Sequence, residues 1–353
     1  MARARVRLNI DIYMKAYGRT FLASLSVFFF LGDTAIASDL LFYKELNGIG
    51  GYSRKSKNGW IGKTEMLSNS VGFEHYGKFS SDYGDYLTTD LQIRFAYDSS
   101  QKFNEAWSVE LHNVWAEYRA NNALKVKAGH FEPAFGLEQV IDVHSTILQT
   151  LAMENIGYTR DWGLGIRGTL EGFDYWAALQ LGSGMSIRRI DASYLFSARV
   201  GTPTNRDFQY GISAMIGNIL ETMGMSTFPK NHLLANDAVF KERIGFDCIY
   251  NWNSFLLKGE TAYGINDAKN VIGYMVELDY TPPRNQNWEF EIQFQSFVND
   301  LGKSRTDDST FSAGLTYKLS QAITLRAVFQ QDLNRYHQPR DTRGLIQFYY
   351  YGK

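Results

Sequence analysis

The chain has 353 residues, with 36 Lys/Arg against 37 Asp/Glu and a formal net charge of −1. That balance excludes a typical nucleic-acid binder, which carries a clear cationic excess. A single cysteine, Cys248, excludes an intramolecular disulfide framework, and 22 Tyr, 24 Phe and 7 Trp against 6 Pro favour strands.

Taken in order, the chain opens with an export signal. Met14-Lys15-Ala16-Tyr17-Gly18-Arg19-Thr20 supplies two cations, an apolar run follows from Phe21 to Leu31, and Ala35-Ile36-Ala37 gives small residues at cleavage spacing. The apolar run is shorter than the roughly 20 residues of a spanning helix. Residues 1–37 are therefore expected to be a cleaved signal peptide, with the true start at Met14 and Arg3, Arg5 and Arg7 in an over-extended beginning. Removing them takes away five Lys/Arg and two Asp/Glu, leaving a net charge near −4. Residues 38–56 are expected to form a short periplasmic segment ahead of a barrel domain over 57–353.

From residue 57 onward the sequence alternates oily and polar residues in short runs. This predicts sixteen strands near 57–66, 70–79, 86–97, 107–120, 123–130, 162–170, 173–182, 190–200, 207–217, 241–250, 254–265, 270–281, 287–298, 309–319, 321–332 and 342–351. Leu91, Ile93 and Phe95 lie on one face of their strand, Asp90, Gln92 and Arg94 on the other. Ile323, Leu325, Ala327 and Phe329 repeat the pattern near the C-terminus. A large soluble β-sandwich would alternate in the same way. The export leader favours the alternative, an all-β transmembrane antiparallel β-barrel of about 16 strands with both ends on the periplasmic side. Tight turns such as Asn121-Asn122 and Glu171-Gly172 alternate with longer connections near 98–106, 131–161, 182–189, 218–240, 299–308 and 333–341. Membrane barrels show this asymmetry of short periplasmic turns and long outer loops.

With the apolar face on lipid, the polar face lines a channel. Arg94, Lys125, Lys127, Arg167, Lys258 and Arg326 are then pore-lining cations, with Asp90, Glu110, Asp174, Glu260, Glu289 and Glu291 among them. Mixed charge around a wet lumen suits passive diffusion of ions and small hydrophilic solutes. Residues 131–161, between the fifth and sixth strands, are the longest break, and a connection of that length is usually functional. Folded inward as a third loop, it would narrow the pore. Ile147, Leu148, Leu151 and Met153 would meet the wall, while Glu132, Glu138, Asp142, His144, Glu154, Arg160 and Asp161 would face the aperture.

The run Val126-Lys127-Ala128-Gly129-His130-Phe131-Glu132-Pro133-Ala134-Phe135-Gly136-Leu137-Glu138 resembles the signature of the phosphate-selective porin O and P family. Met153-Glu154 and Arg160 before Gly163-Leu164-Gly165 resemble that family's downstream order. The likeness is sharp over residues 123–182 and diffuse elsewhere. It implies a 16-stranded homotrimeric outer-membrane porin with its third loop folded inward, in contact with the lipid bilayer and without a cofactor or metal. Anion-selective members are similar in carrying a cation-rich constriction, whereas 132–161 here holds one cation, Arg160, among five carboxylates. The expectation is a general or weakly cation-preferring pore. The terminal strand also differs, since Tyr349-Tyr350-Tyr351 is followed by Gly352-Lys353.

Two other functions compete with the pore. An enzyme would need a nucleophile or metal constellation, and the six scattered histidines form no such pattern. An adhesin or partner-binding barrel would use its outer loops, with Met223, Met225, Phe228 and Pro229 as its candidate surface.

Overall fold

The computed structural model describes residues 38–56, 59–64, 67–82, 84–99, 106–141, 146–187, 189, 192–220, 227–228 and 238–353. The expected leader, residues 1–37, lies outside them. Sixteen long strands account for most of the chain. They are β1 (Ser38–Ser53), β2 (Asn69–Ser81), β3 (Gly84–Tyr97), β4 (Trp107–Arg119), β5 (Lys125–Phe131), β6 (Asp161–Leu170), β7 (Phe173–Gln180) and β8 (Tyr194–Gly201). They continue as β9 (Phe208–Ile219), β10 (Val239–Trp252), β11 (Phe255–Asn266), β12 (Lys269–Tyr280), β13 (Trp288–Val298), β14 (Asp307–Lys318), β15 (Ile323–Asn334) and β16 (Thr342–Gly352).

Each strand runs antiparallel to the next, and β1 closes the ring. Its residues 38–47 pair with β2 and its residues 44–53 pair with β16, so the sheet has no free edge. Two expectations are corrected here. The segment 38–56 is no periplasmic lead-in, because 38–53 is the closing strand. The strand expected over 57–66 is reduced to Trp60–Ile61, which folds back onto Gly51 and Tyr52. The other fifteen strands lie where the alternation places them. Turns at one end of the barrel are mostly short and connections at the other mostly long; the exceptions are 281–287 at the first end, as long as 335–341 at the second, and Asp267-Ala268 between β11 and β12. Both ends of the sheet-forming chain, Ser38 and Gly352, lie at the short-turn end.

Burial is inverted relative to a water-soluble domain. Leu164 and Ile292 expose 61% and 53% of their surface, while Arg94 and Asp247 expose 3% and 1%. Leu91, Phe95, Leu179, Phe246, Val276 and Ile346 are likewise exposed, and each alternates with a buried neighbour on its own strand. In water such a surface would forgo roughly 1.5–3 kcal/mol for each large apolar side chain left uncovered. It is the surface a barrel needs in hydrocarbon, where every backbone N–H and C=O is paired inside the sheet. An aromatic girdle marks the short-turn end. Trp252 stacks on Phe255 at 6.0 Å, Phe255 meets Tyr280 at 4.9 Å, and Trp288 meets Tyr317 at 4.4 Å. Trp and Tyr collect at membrane–water boundaries because their rings are apolar and their tips polar.

One prediction follows from the outward face. Ile292→Arg, mid-strand on β13, is expected to cost roughly 2–4 kcal/mol. Denaturant titration of the protein folded into lipid vesicles measures this, and an unchanged midpoint would contradict the assignment of that face to lipid.

Candidate functional site

The inward face is a network of paired charges held by neighbouring strands. Arg94 on β3 makes a two-pronged contact with Glu45 on β1, at 2.7 and 2.9 Å. Arg167 on β6 does the same to Glu117 on β4, at 2.5 and 2.7 Å. Lys258 on β11 sits between Glu277 and Asp279 of β12, at 2.5 and 2.8 Å. Arg326 donates to Gln347 at 3.0 Å and lies over the Tyr349 ring. The Lys127 ammonium stands 4.1 Å from the centre of the Trp115 ring, and Lys125 is half-buried beside it on β5. All six expected cations alternate with outward residues, as their strand phases require.

Several inward groups were not singled out from the sequence. Arg199 on β8 reaches Asp247 on β10 at 2.5 and 2.9 Å, and its guanidinium lies over Gly211 on the intervening β9, where a Cβ would come within 2.3 Å of it. Lys241 and Arg243 are buried on β10, opposite in phase to Ile244 and Phe246. The same alternation could have found them.

Residues 132–160 touch walls that lie half a ring apart. The segment turns at Gly136, whose φ of +66° suits glycine and where an added Cβ would come within 2.5 Å of Glu260 Oε1. The backbone N–H groups of Ala134 and Gly136 donate to Ser197 and Ser213 at 2.9 and 3.0 Å. Glu260 on β11 then fastens both arms, accepting from the Leu137 N–H and from the Asn155 amide, each at 3.2 Å. Phe135, Ile156 and Tyr158 pack with Leu195, Met215, Ile219 and Ala262 of β8, β9 and β11. Leu137 and Leu151 pack with Ile249 and Met275. Far from these, Ile147 and Leu148 pack with Ile49 on β1, Leu67, Val328 on β15 and Leu345 on β16.

The charged residues of this segment divide by environment. Arg160 bonds Glu132 at 2.9 Å and Asn113 at 2.8 Å. Burial works to raise the Glu132 carboxyl, but Arg160 and Lys127 outweigh it and hold the group below its ordinary value. Glu138 is buried and accepts from the Thr150 hydroxyl at 2.7 Å. Burial pushes its carboxyl up to about 7, against the opposing pull of Arg160 and Thr150. Asp161 is fully buried and accepts from the N–H groups of Trp162, Gly182 and Ser183 and from the Tyr158 hydroxyl. The expectation that these carboxylates crowd the aperture is corrected for Glu138 and Asp161, whose burial and bonds make them fasteners of the loop. Glu154 is half-buried and lines a cavity. Asp142 and His144 lie outside the described residues, as do Met223, Met225 and Pro229 of the alternative partner surface.

That cavity, about 90 Å³, lies between the loop and the wall of β13–β16. The loop contributes Ile147, Gln149, Thr150, Met153 and Glu154; the wall contributes Gln293, Gln295, Thr310, Ser312 and Gln330. Its two cations are tied to acids, Arg335 to Asp332 at 3.1 Å and Arg343 to Asp332 at 3.3 Å. Asp308 accepts from Asn299 and from the Tyr336 N–H, both at 2.7 Å.

No family model and no curated protein sequence matches this chain. Among solved structures it is similar to OmpF of Salmonella typhi, in complex with daunomycin, at a TM-score of 0.63 and 13% identity, covering 90% of this chain and 100% of that one. It is similar to an anion-selective porin from Comamonas acidovorans at a TM-score of 0.62 and 10% identity, covering 89% and 100%. A trimer form of OmpT, an outer-membrane protein of Vibrio cholerae, is similar at a TM-score of 0.58 and 12% identity, covering 90% and 100%. At such identities the likeness is one of fold.

The buried Glu138 carboxyl generates a pH prediction. A group raised above its unfolded value favours the folded state while protonated, so this contribution is lost as pH climbs from about 4.5 through about 7. Between pH 5 and 8 the wild type is expected to lose up to roughly 3 kcal/mol more than Glu138→Gln, which still accepts from Thr150. Urea titrations of both proteins in detergent, followed by tryptophan fluorescence, measure the difference; identical pH dependence would refute it.

Proposed function

We propose that this chain is a bacterial outer-membrane porin: a water-filled channel for passive diffusion of small hydrophilic solutes and ions, general or weakly selective. The observation that carries the reading is the segment 132–160, bonded to β8–β11 on one side and packed on β15, β16 and β1 on the other, with a polar cavity beside it. We take the segment to be a third loop folded into the lumen, where it narrows the passage. Lys125, Lys127, Arg167, Lys258 and Arg326 then border the water-filled space, while Arg94 lies buried against Glu45 in the wall, and the pairing of these cations with carboxylates, amides and aromatic rings keeps the wall's net field low. Glu132, Glu138, Arg160 and Asp161 hold the loop's roots and arms, and Glu154 borders the passage.

The likeness of residues 123–138 to the phosphate-selective porin O and P family supports the porin class. The anion selectivity of that family is not part of the proposal, because the only cation of residues 132–161, Arg160, is committed to Glu132 and Asn113. Export through a cleaved leader at residues 1–37 and assembly as a homotrimer complete the reading. The trimer is supported by the trimer form of the OmpT neighbour. The outward face of β1, β2 and β16 supports it too, since Gly48, Gly50, Gly77 and Gly344 flatten it for a neighbouring barrel.

Planar-bilayer recording of the purified protein tests the reading. Stable conductance steps that close in three equal levels are expected, with a reversal potential under a KCl gradient far from the ideal value for either ion. Silent bilayers would overturn the channel, and strong chloride or phosphate preference would overturn the weak selectivity.

A further inference from the structure

The wall of the cavity is built from neutral groups that both donate and accept hydrogen bonds. Gln293, Ser312 and Gln330 stand directly opposite one another on β13, β14 and β15, and Gln295 and Thr310 form the next rung. Strands in a sheet lie about 4.8 Å apart, so this face offers amides and hydroxyls on a regular grid. Part of that capacity is unspent. Among the described residues nothing bonds the Gln295 amide, and Gln330 donates to Ser312 at 3.3 Å through its nitrogen, leaving its carbonyl oxygen open. Across the passage the loop presents the half-buried side chain of Met153, beside Ile147, which is packed against the wall. Of the charged lining, Arg335 and Arg343 bond Asp332 and Asp308 accepts from Asn299 and Tyr336, while Glu154 is half-buried on the loop side.

The grid itself carries no charge to replace an ion's hydration shell. A sugar ring, by contrast, carries hydroxyls on its rim and an apolar C–H face, the two surfaces this cavity offers on facing walls. Hydroxyls and amides can each take either role in a hydrogen bond, so a grid of them accommodates many hydroxyl orientations. We infer that the passage between residues 147–154 and β13–β15 is a recognition path for uncharged polyhydroxylated solutes of the saccharide class. This rests on the porin reading and adds the class of solute it passes best.

The test uses the whole protein in liposomes and bilayers, with glucose and its charged ring analogues glucuronate and glucosamine as probes. Osmotic swelling is expected to show glucose entering roughly fivefold faster than either charged analogue, about the discrimination one or two hydrogen bonds provide. The double variant Gln295→Leu with Gln330→Leu is expected to lower glucose entry about fivefold, while its KCl conductance stays within about twofold of wild type. Glucose no faster than its charged analogues would overturn the inference in the wild type alone, whatever the variant does. A variant that lowers glucose entry and KCl conductance by the same factor would also overturn it, since that is simple narrowing. Absence of any current would overturn the porin reading itself, and the inference with it.

Discussion

A sheet surrounded by hydrocarbon cannot leave an edge, because an unpaired peptide group there has no water to turn to. In this protein that demand falls on one strand. β1 is the longest in the ring, and it serves two neighbours with overlapping halves, residues 38–47 for β2 and 44–53 for β16. That offset is the stagger a closed barrel must absorb, and it fixes the tilt of every other strand. Once the ring is closed, side chains have two destinations, and the alternation along each strand sorts them. Apolar groups go out, and ionic groups go in, where partners on adjacent strands satisfy them.

The inside is consequently less of an open charged tube than a list of inward cations suggests. Arg94 with Glu45, Arg199 with Asp247 and Lys258 with Glu277 and Asp279 are ion pairs between groups buried by their neighbours. Breaking such a pair from one side leaves an uncompensated buried charge, which is far costlier than losing the pair outright. The loop joins this network through a continuous chain of bonds. Glu45 holds Gln92, Gln92 accepts from Asn113, Asn113 accepts from Arg160, and Arg160 holds Glu132. The first strand and the loop's root are thus parts of one polar assembly.

The strand pattern was legible because lipid permits so little variation on the outer face. Fifteen strands could be placed to within a few residues from the phase of Leu, Ile, Phe and Val alone. β1 escaped because its own alternation is blurred: Gly48, Gly50 and Gly51 carry no side chains, Lys44 points outward, and Ile49 points inward. That inward isoleucine makes sense only with Ile147 and Leu148 against it, a contact about 100 residues away in sequence. The loop's importance was readable from its length and from the Gly129 and Gly136 elbow. Gly129 has φ +129°, and a Cβ there would meet the Val114 carbonyl at 2.0 Å. The roles of the loop's carboxylates were not readable, since composition counts Glu138 and Asp161 as charge whereas burial and bonding make them anchors.

The apolar contact of Ile147 and Leu148 has one more consequence. Their pocket is made by Ile49 at one terminus of the barrel and by Val328 and Leu345 at the other, so it straddles the join between first and last strands. The segment's apolar contact therefore bridges that join, adding side-chain packing to what the hydrogen bonds hold edge to edge. A chain halted before β16 would lack Leu345, and the contact would then have no last strand to close upon.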